Sequence, residues 1–447
     1  MLARFVITIS TVFLLCTAHL SAYAAQQLTL DECIQLGLKS NPAIKSAKLK
    51  VDWSEEGIKE ARSDFLPSLS ASSSYAKIDN IYASGPTDSD FINQSQFVHS
   101  LRLSQILYAG SRIYNTYSRA MVQKDMEEAE QEFAKTKLIL NIEATFFQLM
   151  KAKEDVAAAT DTVERLKSSL QAASAFYKQE MAPYVEVLQA KVDLANAEDQ
   201  LSQLKNNVDR KRAELFQLMN IPFSETIRFD GGLGYYTTGF KTTPEECWAN
   251  AVRNRSDLKS LQKQIDMVEK DIQIAKGKYL PVVQMNVSVN DSLLNYAERG
   301  YSGYTSIDRD QHNTYWNAGV SVTWNLFDGG RAWYEKNKNV LDKLRLLEDI
   351  KGLENDINAQ IRTELLTLSE AESRIASTSS AVEAAREYYA TEEKRFQAGI
   401  ATIPSLLDAQ ARMTRADANH NQARLDYHLA RASLKFITGQ KADTNLQ

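Results

Sequence analysis

Metal ligation, nucleophilic attack and phosphate binding each need a few side chains at set spacings, and in this sequence every candidate fails on spacing. The chain carries five histidines and three cysteines. His420 and His428 share one helical stretch but stand two turns apart, beyond the i, i+4 pair that a helix offers a metal ion. His19 lies in an apolar leader, His99 and His312 lie near alternating segments, and the later histidines read as surface residues. Cys33 and Cys247 each fall early in an amphipathic helical pattern. Two thiols make no disulfide framework there, and packing accounts for them better than a bridge. Gly231-Gly232-Leu233-Gly234 has no strand before it and no helix after it, so it reads as linker rather than as a phosphate cradle. Neither a Gly-x-Ser-x-Gly elbow nor a paired-cysteine metal motif occurs. The expectation is a protein that is not an enzyme and holds neither cofactor nor metal.

With no chemistry to position, the elements themselves become informative. The 447 residues are 44% hydrophobic and 24% charged, with 17 Gly and 8 Pro, about 4% and 2% where averages lie near 7% and 5%. So few turn-formers cannot punctuate a sandwich or a loop-rich α/β enzyme of this length; a few very long elements can use them all. Fifty-two basic residues face 57 acidic ones for a net charge of −5, with no basic block, so nothing asks for nucleic acid. Residues 1–24 read as a secretory signal peptide, with Arg4, an apolar run from Phe5 to Leu15, and Ala22-Tyr23-Ala24 as cleavage site. Cys16 follows bulky Leu15 where a lipid-anchor site wants a small residue. Beyond the leader no stretch reaches the 18 to 20 apolar residues of a membrane-spanning helix. An exported chain of this kind is periplasmic, secreted, or in an outer membrane as a β-barrel.

The sequence is written twice. Leu30-Asp31-Glu32-Cys33 recurs as Pro244-Glu245-Glu246-Cys247, and Leu66-Pro67 recurs as Leu280-Pro281. After a five-residue insertion, Leu107-Tyr108-Ala109-Gly110 matches Leu326-Phe327-Asp328-Gly329, and Leu188-Gln189-Ala190 matches Leu407-Asp408-Ala409. The expected layout is a signal peptide over 1–24, a first repeat over 25–220, a linker over 221–243, a second repeat over 244–439 and a tail over 440–447. Each repeat reads helix, β-hairpin (66–108 or 280–327), long helix, helix. Helices are expected over Leu30–Phe65, Ser111–Gln179 and Val185–Met219, and again over Pro244–Tyr279, Arg331–Gln397 and Pro404–Thr438. Val163, Leu166, Leu170, Ala173 and Tyr177 step by three and four, a coiled-coil seam. At 1.5 Å per residue the long helix spans roughly 100 Å and the two shorter ones together about the same, which suits a structure crossing a compartment.

The strands indicate which compartment boundary. Val283, Met285, Val287 and Val289 alternate with Gln284, Asn286, Ser288 and Asn290; Trp316, Ala318, Val320, Val322 and Trp324 alternate with Asn317, Gly319, Ser321 and Thr323. In the first repeat Leu69, Ala71 and Tyr75 oppose a serine run, and Phe97, Leu101 and Leu103 oppose Ser100, Arg102 and Ser104. One face is apolar and the other is Ser, Asn, Gln and Thr with few charges, which fits lipid outside and a wet lumen inside. Tyr75, Trp316 and Trp324 are the candidate interfacial aromatics. Polar loops are expected over about Ile78–Gln94 and Asp291–Thr314. A sheet packed on soluble helices also alternates, and a pore-free coiled-coil scaffold in the periplasm or at the surface is the alternative. Four strands cannot close a barrel in lipid, so several chains must contribute. Two would give eight strands and a filled interior; three would give twelve and an open one.

This duplicated layout resembles the TolC-like outer-membrane efflux proteins over essentially the whole mature chain. The resemblance rests on Leu28-Thr29-Leu30-Asp31-Glu32, Asn41-Pro42, Leu66-Pro67, Trp324-Asn325-Leu326-Phe327-Asp328-Gly329-Gly330 and Leu406-Leu407-Asp408-Ala409-Gln410. It implies a mixed α and β membrane protein and a homotrimer. Four strands per chain would build a 12-stranded barrel in the lipid of a Gram-negative outer membrane, continuing into a long α-helical coiled-coil barrel in the periplasm. It also implies a periplasmic adaptor and an inner-membrane pump of resistance-nodulation-division or ATP-binding-cassette type, which supplies the energy. The resemblance puts the periplasmic entrance at Tyr177–Val185 and Phe396–Pro404, with Ala182, Pro183, Tyr184, Gly399, Ile400, Ala401 and Thr402 as the adaptor-contact region. Asp408 and Glu186 fall on acidic entrance positions, where helix-start acids stabilised by the dipole are the plainer reading. Ser405 and Ala401 replace an aspartate and an arginine of some members, so the gate departs from theirs.

Overall fold

The first helix of each half begins at a capping box. The Glu32 carboxylate accepts from the Thr29 N–H at 2.8 Å while the Thr29 hydroxyl accepts from the Glu32 N–H, and Thr243 with Glu246 repeats the arrangement at 3.1 Å. The computed structural model describes residues 27–85, 88–234, 242–299 and 311–440, with side chains left aside at 78–94 and 296–299. The expected signal peptide, Cys16 and the residues from 441 onward lie outside the described residues. In chain order the elements are β1 (Gln27–Leu28), α1 (Leu30–Ser40), α2 (Pro42–Ser63), β2 (Ser68–Gly85), β3 (Asp88–Tyr108), α3 (Arg112–Lys178), α4 (Tyr184–Met219) and β4 (Arg228–Phe229). The second half follows with α5 (Pro244–Asn254), α6 (Ser256–Gly277), β5 (Val282–Arg299), β6 (Gln311–Thr323), α7 (Arg331–Gln397) and α8 (Ile403–Ile437). The duplication extends to lengths: α1 and α5 have 11 residues each, α2 and α6 have 22, β2 and β5 have 18, and α3 and α7 have 67.

Two expectations need correction. The first helix of each half is two helices. Pro42 carries no N–H and disfavours helical backbone at Asn41, whose ψ is 129°. The Asn41 side chain covers the break, its Nδ2 donating to the Leu218 carbonyl at 2.8 Å and its Oδ1 accepting from the Ala43 N–H at 2.8 Å. At the equivalent Arg255, ψ is 121° with no proline following. In the segments read as loops, Ile78–Gln94 and Asp291–Thr314, the described residues are strand. β2 and β3 pair as far as Gly85 with Asp88, and β5 continues to Arg299.

The described chain forms two compact units that cut across the repeats. One lies within Met1–Lys48, Glu130–Ser256 and Leu353–Gln447; the other is Leu49–Ala129 with Asp257–Gly352. In the first unit β1 and β4 pair in parallel, so that the N-terminal segment and the linker form a two-stranded ribbon. Leu28, Phe229 and Leu233 bury against Phe146, Leu149 and Met150 of α3 and Leu215 and Met219 of α4. Along α3, Val163, Leu166 and Ala173 of the seam are buried, and Tyr177 at its end is exposed. Cys33 and Cys247 are fully buried, unbridged and in separate clusters. Burial pushes the Cys33 thiol up to about 12.

His428 is not the surface histidine the sequence suggested. It is 3% exposed, its ring stacks on Phe147 at 4.1 Å, and its Nε2 lies 3.0 Å from the Gly234 carbonyl. Periodicity along α8 does not reveal that the linker folds back over this position. Arg424, one turn away, donates from Nε to the Leu233 carbonyl at 2.5 Å and from Nη1 to Glu154 at 2.8 Å.

In the second unit the strands form one antiparallel sheet in the order β2-β3-β5-β6, so β2 and β6 are its edges. The β3-to-α3 connection of the first repeat and the end of α6 meet at Gly110 and Gly277. Gly110 has φ +62°, and a Cβ on Gly277 would stand 2.5 Å from both the Gly110 carbonyl oxygen and Arg112 Cγ.

Candidate functional site

The register of the sheet decides which side chains share a face, because residues directly opposite in antiparallel strands point the same way. Ser104 lies opposite Asn286, Arg102 opposite Ser288, Ser288 opposite Asn317, and Gln284 opposite Ser321. Ser100 and Thr323, two residues along from Arg102 and Ser321, fall on the same face. These groups bond to one another: Ser104 Oγ to Asn286 Oδ1 at 3.0 Å, Gln284 Nε2 to the same oxygen at 3.1 Å, and Ser288 Oγ to Asn317 Oδ1 at 2.7 Å. The nine polar strand residues singled out in the sequence therefore share one face, and five of them, Ser104, Gln284, Asn286, Ser288 and Asn317, are joined by side-chain hydrogen bonds.

The opposite face carries Leu69, Leu103, Val287 and Ala318 in one row and Ala71, Leu101, Val289 and Trp316 in the next. It is open to its surroundings, with Leu69 66%, Trp316 72% and Val322 66% exposed. Tyr75 packs against Phe97 on this face, the ring centroids 4.7 Å apart and the rings tilted at 43°. Trp324 lies just past β6 and its Nε1 donates to the Tyr279 carbonyl at 2.9 Å. Exposed apolar rows opposite a polar face invert the arrangement of a sheet that packs on a soluble core; the apolar band is bounded by a polar row of the same face, Ser73, His99, Asp291 and Thr314. Among the described residues no helix is long and apolar enough to cross a membrane, and no group of His, Cys, Asp and Glu is arranged to hold a metal ion.

The turns between the long and short helices form a second surface, wholly within the first unit. After α3 the backbone reverses through Glu180 at φ +58°, and Pro183 caps α4 with φ −70°. After α7 it reverses through Gly399 at φ +72°, and Thr402 caps α8. Phe176 and Phe396 meet edge to face at 5.4 Å, and with Ala173, Ala190, Ile403 and Leu406 they join the two turns in one buried cluster. Outside it, Met181, Tyr184, Val185 and Ile400 are exposed, Ile400 by 70%, while Ala182 and Ala401 are half-buried. Tyr184 packs against Tyr177 at 5.1 Å.

The two acidic positions differ. Glu186 lies in the first turn of α4, half-buried, and has no ion-pair partner among the described residues. Asp408 is not a helix-start acid: it is the sixth residue of α8, beyond the reach of the first-turn dipole. Its Oδ2 accepts from Arg412 Nε at 2.7 Å, one turn along, and this partner raises the Arg412 guanidinium further above its usual range. Sequence reading passed over Arg412, although the i, i+4 spacing was available to find it. It also passed over a polar cluster that joins the repeats. There Gln410 Nε2 donates to the Thr162 carbonyl at 3.0 Å, the Thr162 and Thr414 hydroxyls meet at 3.0 Å, and Arg165 lies over the Tyr389 ring at 5.6 Å. No local signal marks that cluster, because its members come from both repeats.

Exposed apolar rows opposite a polar layer, together with very long helices, are features that suit a membrane channel component. The sequence profile of the outer membrane efflux protein family matches residues 33–220 and 249–440, and the chain belongs to that family. It is similar to the outer membrane protein TolC of Escherichia coli, 25% identical over 429 residues, which cover 94% of this chain and 84% of that one. Among solved structures it resembles the outer-membrane channel OprN, with TM-score 0.78, 18% identity and coverage of 92% and 90%. The CmeC outer membrane channel of Campylobacter jejuni gives TM-score 0.78, 17% identity and coverage of 92% and 85%. The protein resides in a Gram-negative outer membrane with a large periplasmic portion, and the family consists of channels rather than enzymes.

Proposed function

We propose that three copies of this chain close a 12-stranded barrel in the outer membrane, which continues as a helical tunnel through the periplasm. The duct is passive, and an adaptor with an inner-membrane pump opens and drives it. The observation that carries this reading is the four-stranded sheet with a bonded polar face, an exposed apolar face and two edge strands. Unpaired edges are intolerable in hydrocarbon, so the edges of β2 and β6 require partners from other copies. Three copies leave an open lumen where two would leave one filled with side chains.

The exposed apolar residues at the turns, Met181, Tyr184, Val185 and Ile400, supply the adaptor contact, with Ala182, Pro183, Gly399, Ala401 and Thr402 shaping the backbone around them. Glu186 and Asp408 stand near the entrance, Glu186 as an uncompensated charge and Asp408 as half of an ion pair. Either class of pump, resistance-nodulation-division or ATP-binding-cassette, is compatible with these surfaces. The test is fractionation followed by planar-bilayer recording. A detergent-stable trimer from the outer membrane that conducts ions supports the reading; a soluble monomer from a periplasmic extract supports a pore-free scaffold instead.

A further inference from the structure

Arg102 is the only charged side chain on the polar face of the sheet among the residues whose side chains are described. Its row across the strands is Ser70, Arg102, Ser288 and Asn317; the row on one side is Ser68, Ser104, Asn286 and Gly319. The other described positions on this face are uncharged. No carboxylate pairs with the guanidinium among the described residues, and Arg102 is exposed. Its neighbours along β3, Leu101 and Leu103, point the other way, in the rows of Val289 with Trp316 and of Val287 with Ala318. Arg102 therefore sits on the polar face at the level of the apolar band, between its two rows. An unpaired arginine at that depth is tolerable only where it meets water.

We propose that Arg102 forms a ring of three guanidinium groups in the barrel lumen that favours the passage of anions and anionic solutes over cations. This rests on the trimeric-barrel reading. The physical basis is that identical charges at one level of a pore add, and rings of Arg or Lys select for anions as rings of Asp or Glu select for cations. The planar five-donor guanidinium also suits carboxylate and phosphate groups of passing solutes. The rows around it hold Ser and Asn with Gly319 and Tyr315, uncharged groups that do not oppose a solute's charge.

The experiment is the reversal potential of the wild-type trimer in a planar bilayer under a KCl gradient, compared with R102Q, R102E and R102K. S288E, on the same row, serves as a test of the face itself. Expected is a shift toward the potassium equilibrium potential in R102Q, a larger one in R102E, which changes the ring by two charges per chain, and a wild-type value in R102K. A shift in S288E with none in R102Q or R102E overturns the arginine ring while leaving the lumen assignment standing. No shift in conducting S288E, R102Q or R102E channels overturns both. If R102Q fails to assemble, R102E and R102K decide the matter by the difference between them.

Discussion

Arg412 holds Asp408 in an ion pair at 2.7 Å within α8, one turn apart. The acid expected to charge the periplasmic entrance thus carries its own neutralising partner. Both side chains are largely exposed, so the pair concerns the local field more than stability. If α8 presents this position to the pore axis, each variant has a defined sign. R412Q frees a carboxylate on each chain and raises cation selectivity above wild type. D408N frees a guanidinium and lowers it. Reversal potentials measure both, and unchanged values in both variants would remove Asp408 from the entrance.

The buried His428 makes the first unit sensitive to acid. Burial, the largest cause, holds its imidazole down to about 4 in the folded state, against an ordinary value of 6.5. The unfolded chain therefore takes up a proton that the folded chain refuses between these two values. The stability is complete above about pH 6.5, is lost progressively as pH falls toward 4, and is constant below that, about 3 kcal/mol in all. Glu143, raised by burial, works in the opposite sense over its own range, so the comparison of H428Q with wild type isolates the histidine. The protection factors of residues 228–234, taken relative to intrinsic exchange at each pH, should fall on acidification in wild type, and a slope equally steep in H428Q would refute this assignment.

Gly110 and Gly277 approach too closely to admit a side chain at either position. G277A brings a methyl group against the Gly110 carbonyl and Arg112 Cγ, and G110A adds a left-handed backbone to a clash with Gly277. Each should destabilise the second unit by about 1–3 kcal/mol. Gly352, inside α7, has open space around its Cβ position, so G352A should be neutral or should stabilise by about 0.5–1 kcal/mol. Thermal unfolding of the detergent-solubilised protein orders the three variants, and an unaltered midpoint in G277A would show that the close approach is not rigid.

Much of the architecture could be read from the sequence because duplication supplies an internal check. Thr29–Glu32 and Thr243–Glu246 mark two helix starts, and Leu66-Pro67 with Leu280-Pro281 mark two helix-to-strand junctions. The break at Asn41 carries a proline and could have been read locally. The one at Arg255 has no such mark, and only its correspondence to Asn41 points to it. The long outer parts of β2 and β3 were missed because residues 78–94 are rich in Asp, Asn, Ser and Gly, which read as loop. Cross-strand backbone bonds hold those segments, and strand propensity is too weak and context-dependent to show it. At the turns, Asp408 stands out in the sequence, but its pairing with Arg412 depends on side-chain positions that the i, i+4 spacing permits without requiring. His428 and the cluster around Gln410 were out of reach, since their partners lie some 190 to 250 residues away.

The claim that the polar face lines a water-filled lumen is tested most directly by placing single cysteines along β5, at positions 284 to 289. The native Cys33 and Cys247 are fully buried and should give no background. A charged thiol reagent added to conducting channels should change the current at Gln284, Asn286 and Ser288 and leave it unchanged at Met285, Val287 and Val289. A response at the odd positions, or at every position alike, would contradict the assignment of that face to a pore.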